Sequence, residues 1–85
     1  MIKRLYNWVT NPFNDNHHYI KIKDMKITIF RERPFIWPTR YHLTTSRLSI
    51  KKYLETTNLE KAKSEAKEYL KEYFEDMLTE LDKIL

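Results

Sequence analysis

The chain has 85 residues, a net charge of +4, no cysteine and no glycine. A chain of this length forms one domain with one thin core, and the lack of cysteine excludes disulfides, thiolate metal sites and cysteine nucleophiles. The lack of glycine excludes the phosphate loops, dinucleotide fingerprints and nucleophile elbows on which many enzyme classes depend.

The sequence carries no targeting or membrane signal. The first eight residues are basic but lack the apolar stretch of a signal peptide. The longest apolar run is the three residues Phe35-Ile36-Trp37, which cannot span a bilayer. We therefore expect a cytoplasmic protein without a membrane partner.

Residues 1–16 predict a short helix followed by a loop. Ile2, Leu5, Tyr6 and Val9 have the i, i+3, i+4, i+7 spacing of one helix face, and a strand is the alternative. The dipeptide Asn11-Pro12 ends the element, and polar residues 14–16 continue as a loop.

Residues 17–56 predict an antiparallel sheet of three strands. The isoleucines at 20 and 22 lie on even positions and those at 27 and 29 on odd positions. A turn at residues 23–25 accounts for this change of phase, and a bulge in one long strand is the alternative.

The third predicted strand covers residues 35–43. It places Trp37, Tyr41 and Leu43 on one side, and Pro38 makes it an edge strand or interrupts it. A further short strand at residues 48–50 is an additional expectation.

Residues 57–85 predict one long amphipathic helix. Thr57 and Glu60 match a capping box, and apolar residues follow at three-four spacing to Leu85. The expected fold is therefore α+β, with a short N-terminal helix, a three-stranded antiparallel sheet and a C-terminal helix packed on one sheet face.

The predicted helix is longer than the sheet. About 26 helical residues span ~40 Å, whereas a strand of six or seven residues covers ~22 Å. The overhanging end needs cover from the N-terminal helix, from a kink that folds it back, or from a second copy of the chain. A homodimer is one of these expectations, and its candidate interface residues are Phe74, Met77, Leu78, Leu81, Ile84 and Leu85.

Charge divides the chain into two parts. Residues 1–58 contain eleven Lys or Arg against four acids, a net of +7, while residues 59–85 contain five Lys against eight acids, a net of −3. The alternation in the strands puts much of the positive charge on the sheet face opposite the helix, together with aromatic residues. The candidate binding residues are Tyr19, Lys21, Lys23, Lys26, Phe30, Arg31, Arg33, Arg40 and His42.

This basic aromatic face has three interpretations. Single-stranded nucleic acid prefers cations for its phosphates and rings for its bases. An acidic protein partner fits the same surface. In the third interpretation the lysines only keep the sheet soluble and protect its edges.

Catalytic and metal sites are not expected. His17 and His18 lie beside Asp15, but neighbouring residues of a strand point to opposite faces, so we interpret the pair as solvent-facing loop histidines. Eight of the twelve acids lie on the predicted helix, interleaved with lysines in a pattern typical of a solvated face. The sequence therefore predicts a protein that is not an enzyme and needs no cofactor.

The order of short helix, three strands and long helix resembles a double-stranded-RNA-binding domain. In that family the last helix opens with a Lys-Lys-x-Ala-Lys run that contacts phosphates. The matching positions here are Glu60-Lys61-Ala62-Lys63, which are only partly basic, and the family's glycine before the helix is absent.

The chain also resembles small phage and mobile-element anti-defence proteins, anti-CRISPR proteins among them. The resemblance lies in the glycine-free, Ile-, Lys- and Asn-rich composition and in the plan of a meander sheet followed by a Glu-Ala-Lys-rich helix. It implies an inhibitor that binds a host nuclease or nucleoprotein complex in the host cytoplasm. The alternative function is a small nucleic-acid-binding module.

Overall fold

The computed structural model describes residues 6–31 and 40–85 and contains a five-stranded antiparallel sheet with one long helix. The strands follow one another in sheet order and chain order alike. Their bounds are β1 Val9–Asn11, β2 Asn14–Ile22, β3 Met25–Phe30, β4 His42–Thr45 and β5 Lys51–Tyr53, and the helix α1 is Leu59–Leu81. The α+β class is confirmed, but the sheet has five strands where three were predicted.

The helix packs on one face of the sheet, as expected. Its buried residues Ala62, Ala66 and Leu70 are spaced four apart, so they form one row along the helix. Two of the three are alanines, whose small side chains let the helix axis approach the sheet closely. They meet Ile29 and Leu43, which are fully buried on adjacent strands.

The β2–β3 hairpin confirms the predicted change of phase. Ile22 pairs with Met25, so the turn consists of Lys23 and Asp24. Lys23 takes the left-handed conformation with φ 56°, a position that glycine or asparagine usually fills. The turn is tied to the β4–β5 connection by an ion pair of 3.1 Å between Asp24 and Arg47.

The predicted N-terminal helix is wrong for the described part of its range. Residues 6–8 are not helical, Val9 begins a strand that pairs with Tyr19, and residues 1–5 lie outside the described chain. The predicted loop at 14–16 is also wrong, because β2 already starts at Asn14. The side chain of Asn11 accepts a hydrogen bond of 2.8 Å from the Phe13 amide, so this turn is closed by a side chain.

The third predicted strand lies partly outside the described residues, which omit 32–39 and with them Trp37. Downstream, Tyr41 and Leu43 are both buried on the core side, as the alternation indicated. The strand itself, β4, extends to Thr45 and starts only at His42.

The predicted strand at 48–50 is wrong. Leu48 and Ser49 have φ values of 68° and 50°, so they form the turn between β4 and β5. The turn is closed by a hydrogen bond of 3.2 Å from the Thr45 amide to the Ile50 carbonyl. The strand follows at Lys51.

The helix begins one residue later than the predicted capping box requires. The N-cap is Asn58, whose side-chain oxygen accepts a hydrogen bond of 3.0 Å from the Lys61 amide. The side chain of Glu60 forms an ion pair with Lys63 at 3.2 Å. The helix ends at Leu81, four residues before the predicted end at Leu85.

Within residues 6–31 and 40–85, no helix combines the length and the apolar character that a membrane span needs.

Candidate functional site

The strand register determines which side chains share the sheet face opposite α1, which we call the open face. Directly paired residues of antiparallel strands lie on the same side, and the side alternates along each strand. All members of the open face are exposed or half-buried. In strands β2–β5 they are His17, Tyr19, Lys21, Lys26, Thr28, Phe30, His42, Thr44, Lys51 and Tyr53.

Four rings form a continuous line across the open face, which we call the aromatic row. His17, Phe30, His42 and Tyr53 are direct cross-strand neighbours on β2, β3, β4 and β5. Their ring centroids are 5.1, 4.9 and 4.3 Å apart in that order. Contacts of this kind stabilise the sheet.

Tyr53 ends the aromatic row at the edge of the sheet. It is 68% exposed, and among the strands of residues 6–31 and 40–85 only β4 is a neighbour of β5. Its ring centroid lies 4.3 Å from that of His42, and the two ring planes are tilted by 51°. Tyr53 is therefore the ring of the row best placed to stack on a ligand.

Exposed lysines occupy the remainder of the open face. Lys21 and Lys26 are paired directly across β2 and β3, and like charges in this position destabilise a sheet. The ammonium group of Lys26 lies 4.6 Å from the ring centroid of Tyr19. Lys51 is exposed on β5, two positions from Tyr53. An anionic ligand on this face would relieve the repulsion between Lys21 and Lys26.

Threonines lie between the lysines and the aromatic row. Thr28 and Thr44 are direct neighbours on β3 and β4, and Tyr19 extends the same line on β2. Their hydroxyls give the middle of the open face both donors and acceptors. The five strands contain a single acid, Asp15, near the start of β2.

The predicted binding residues fall into two groups. Tyr19, Lys21, Lys26, Phe30 and His42 lie together on the open face. The others are placed differently: Lys23 lies in the β2–β3 turn, Arg31 points to the core side, Arg40 precedes β4 in an ion pair with Glu55, and Arg33 lies outside the described residues.

Arg31 has a structural position. Its guanidinium lies 5.3 Å from the ring centroid of Tyr41 and donates a hydrogen bond of 3.3 Å to the Thr57 carbonyl. It also donates to the side chain of Asn16 at 3.5 Å. These contacts connect β2, the residue before β4 and the residue before the N-cap of α1, so the Arg31 guanidinium already has partners within the fold.

Arg40 is partly neutralised. Its guanidinium lies 3.6 Å from the carboxylate of Glu55, and both side chains are largely exposed. Exposed pairs of this kind are weak, so an anionic ligand can compete with Glu55 for this cation.

Among the members of the open face, the sequence does not predict His17, Thr44, Lys51 and Tyr53. It predicts a loop at His17, and it predicts the last strand at residues 48–50, before Lys51 and Tyr53. The spacing of Lys51 and Tyr53, two apart after a polar turn, was the available signal.

His18 lies on the opposite side of β2 from His17. It is only 5% exposed, and its Nδ1 atom lies 3.0 Å from the Thr10 hydroxyl, within hydrogen-bond distance. The interpretation of both histidines as solvent-facing loop residues is therefore wrong: both lie in β2, His18 is buried, and His17 is half-buried on the open face. Burial is the main cause that lowers its pKa, and Lys63 is the next.

The described residues contain no group of three His, Cys, Asp or Glu side chains that could hold a metal ion. His17 and His18 cannot bind one ion together, because they lie on opposite faces of β2.

The candidate dimer residues lie along the second half of α1 and beyond it. Phe74 is half-buried against the core and Met77 is half-buried, whereas Leu78 and Leu81 are 62% and 52% exposed. Ile84 and Leu85 follow the helix and are also exposed.

No known protein family, curated protein or solved structure matches the chain. The anti-CRISPR-like resemblance therefore stays a prediction. The element order that suggested a double-stranded-RNA-binding domain is not present in the described residues, since five strands replace three.

Proposed function

We propose that the protein is a non-enzymatic binding protein whose open face binds single-stranded nucleic acid. The observation that carries the proposal is the aromatic row of His17, Phe30, His42 and Tyr53 on a face that also carries the exposed lysines Lys21, Lys26 and Lys51. Rings and cations on one sheet surface are what unpaired bases and phosphates require together.

The geometry favours single strands over duplexes. Bases in a duplex are stacked inside it, whereas bases of a single strand can stack on protein rings. Tyr53 offers a ring that is 68% exposed on β5. His17 and His42 offer imidazole nitrogens to base edges or phosphates.

The lysines supply the electrostatic part of binding. Lys21, Lys26 and Lys51 are exposed, and among the described ion pairs none involves them. Each phosphate neutralised on a single strand contributes about −0.7 to the slope of log affinity against log salt. Three such contacts predict a slope of about −2.

Inhibition of a host defence nuclease through protein contact stays the second candidate function. The same open face would bind an acidic surface of that nuclease, and the observation in its favour is the scarcity of acids in the strands. It differs from the first candidate in one measurable respect: it needs no affinity for free oligonucleotides.

Fluorescence anisotropy with labelled DNA and RNA 12-mers, with the matching duplexes for comparison, tests the proposal. We expect single strands to bind more tightly than duplexes, with affinity falling as salt rises.

A triple variant, Lys21→Gln, Lys26→Gln and Lys51→Gln, should flatten the salt dependence. A control that removes equal charge away from the open face, Lys52→Gln, Lys61→Gln and Lys83→Gln, should keep it. No binding at low salt, or equal losses in both variants, would contradict the proposal.

A substitution of Tyr53 tests the stacking component. Tyr53→Leu should weaken single-strand binding by about 1–3 kcal/mol, the usual contribution of one stacked base. Phe13→Leu is the matched control, because Phe13 is 96% exposed in the β1–β2 turn and lies outside the aromatic row. Thermal melting of both variants separates loss of binding from loss of stability. Equal affinities of the two variants would exclude stacking on Tyr53.

A further inference from the structure

An apolar groove opens between α1 and the β2–β3 hairpin, on the side of the sheet away from the open face. Its volume is about 1110 Å³. The apolar part of its wall includes Trp8, Ile20, Ile22, Met25, Phe74 and Leu78. Of these, Ile22 and Leu78 are exposed, at 37% and 62%.

The end of the helix carries further apolar surface beyond the groove. Leu81 is 52% exposed and, seven residues after Phe74, lies on the side of α1 on which Phe74 packs against the core. Ile84 follows the helix and is 70% exposed. Contiguous apolar surface of this kind marks an interaction site.

Charge along the helix changes sign from one end of the groove to the other. Lys63, Lys67 and Lys71 are spaced four apart and line one wall. After Lys71, the helix and the residues that follow it contain five acids against one lysine: Glu72, Glu75, Asp76, Glu80 and Asp82 against Lys83. Two copies of the helix placed side by side in opposite directions therefore put acids next to lysines at both ends.

We propose that the groove binds the end of α1 from a second copy of the chain, in a symmetric antiparallel dimer. Each copy inserts Leu78, Leu81 and Ile84 into the groove of the other, and the acids around them face the partner's row of lysines. A twofold axis near the middle of this region relates the two contacts, so one surface serves both copies. The dimer leaves both open faces exposed, and it does not depend on the proposed function.

Charge complementarity favours a second copy of this chain, rather than a helix of another protein, as the partner of the groove. A partner for this groove needs an apolar row with acids beside it, and residues 72–82 of the same chain have both. An antiparallel arrangement is required, because parallel helices would place the lysines of one copy beside those of the other.

Sedimentation velocity over a range of concentrations tests the dimer. We expect a reversible change from the monomer mass of 10.5 kDa to twice that value, with tighter association at low salt.

Leu81→Glu should raise the dissociation constant about tenfold or more, since it places a charge in the contact. Phe13→Glu, an equally drastic change at the exposed β1–β2 turn, should leave association unchanged. A monomer at millimolar concentration, or a dimer that Leu81→Glu does not weaken, would overturn the proposal.

A charge exchange tests the orientation. Lys67→Glu should weaken the dimer by about fivefold at low salt, and adding Glu80→Lys in the same chain should restore it. Both side chains lie on the exposed surface of the helix, so circular dichroism should report unchanged helix content. Failure of the second change to restore association would exclude the antiparallel arrangement.

Discussion

At the scale of single residues, two adjacent histidines have opposite roles because β2 alternates. His17 joins the aromatic row on the open face, while His18 is buried against the core side beside Thr10. The two residues are of the same type, so their roles cannot be told apart by residue type. Their opposite orientations follow from the strand that begins at Asn14 and includes both of them.

The buried histidine makes stability depend on pH. The pKa of His18 is lowered from 6.5, first by burial and then by the charge of Lys63, partly offset by Asp15, with smaller effects from His17 and Arg31. Since the unfolded chain takes up the proton first, acid favours unfolding. The contribution of His18 to the free energy of unfolding is complete above pH 6.5, the pKa of histidine in the unfolded chain. It is lost as the pH falls towards the lower pKa of His18 in the folded protein.

Urea unfolding at about pH 7.5 and about pH 5.5 measures this effect. The wild type should be less stable at the lower pH, by no more than about 1.4 kcal/mol per pH unit for one proton. His18→Gln should reduce the difference, while His17→Gln on the open face should keep it. If the two variants respond equally to pH, His18 is not the group responsible.

At the scale of elements, substitutions at the start of α1 test whether Asn58, and not Thr57, is the N-cap. Asn58→Ala should destabilise the protein by about 1 kcal/mol, because it removes the acceptor of the Lys61 amide. This corresponds to a fall in melting temperature of about 4–8 °C for a domain of this size.

Thr57→Ala is the control for that substitution. Since the Thr57 contact in the fold is made by its backbone carbonyl, the change should cost less than about 0.5 kcal/mol. A larger loss for Thr57→Ala than for Asn58→Ala would support the capping box that the sequence suggested.

The long elements could be predicted from the sequence, and the short ones could not. The α1 pattern spans more than six turns, and the two longest strands, β2 and β3, carry paired isoleucines, so their periods are clear. Strands β1, β4 and β5 have three or four residues each, too few for an alternation to be recognised. The spacing from Ile2 to Val9 also fits a helix face, and the pairing of Val9 with Tyr19 decides against helix there.

The candidate site was predictable to the same extent. Alternation in β2 and β3 was sufficient to place Tyr19, Lys21, Lys26 and Phe30 on one side. The alignment of the aromatic row depends on the register between strands, which hydrogen bonds and turn lengths set. The same alternation, continued beyond β3, would have placed Arg31 on the core side.

At the scale of the whole molecule, the two functional surfaces lie on opposite sides of the sheet. The open face carries lysines and rings, while the groove and the acidic end of α1 lie on the other side. This separation allows one side to bind a ligand while the other associates with a second copy. It also means that the two proposals can fail independently.

The measurement that tests the central claim most directly is an NMR titration of the ¹⁵N-labelled protein with a single-stranded 12-mer. We predict that the backbone amide signals of Tyr19, Thr28, Phe30, His42 and Tyr53 shift together and saturate. Signals from the exposed side of α1 should stay in place. Shifts concentrated on α1 or in the apolar groove, or no shifts at saturating oligonucleotide, would contradict the account.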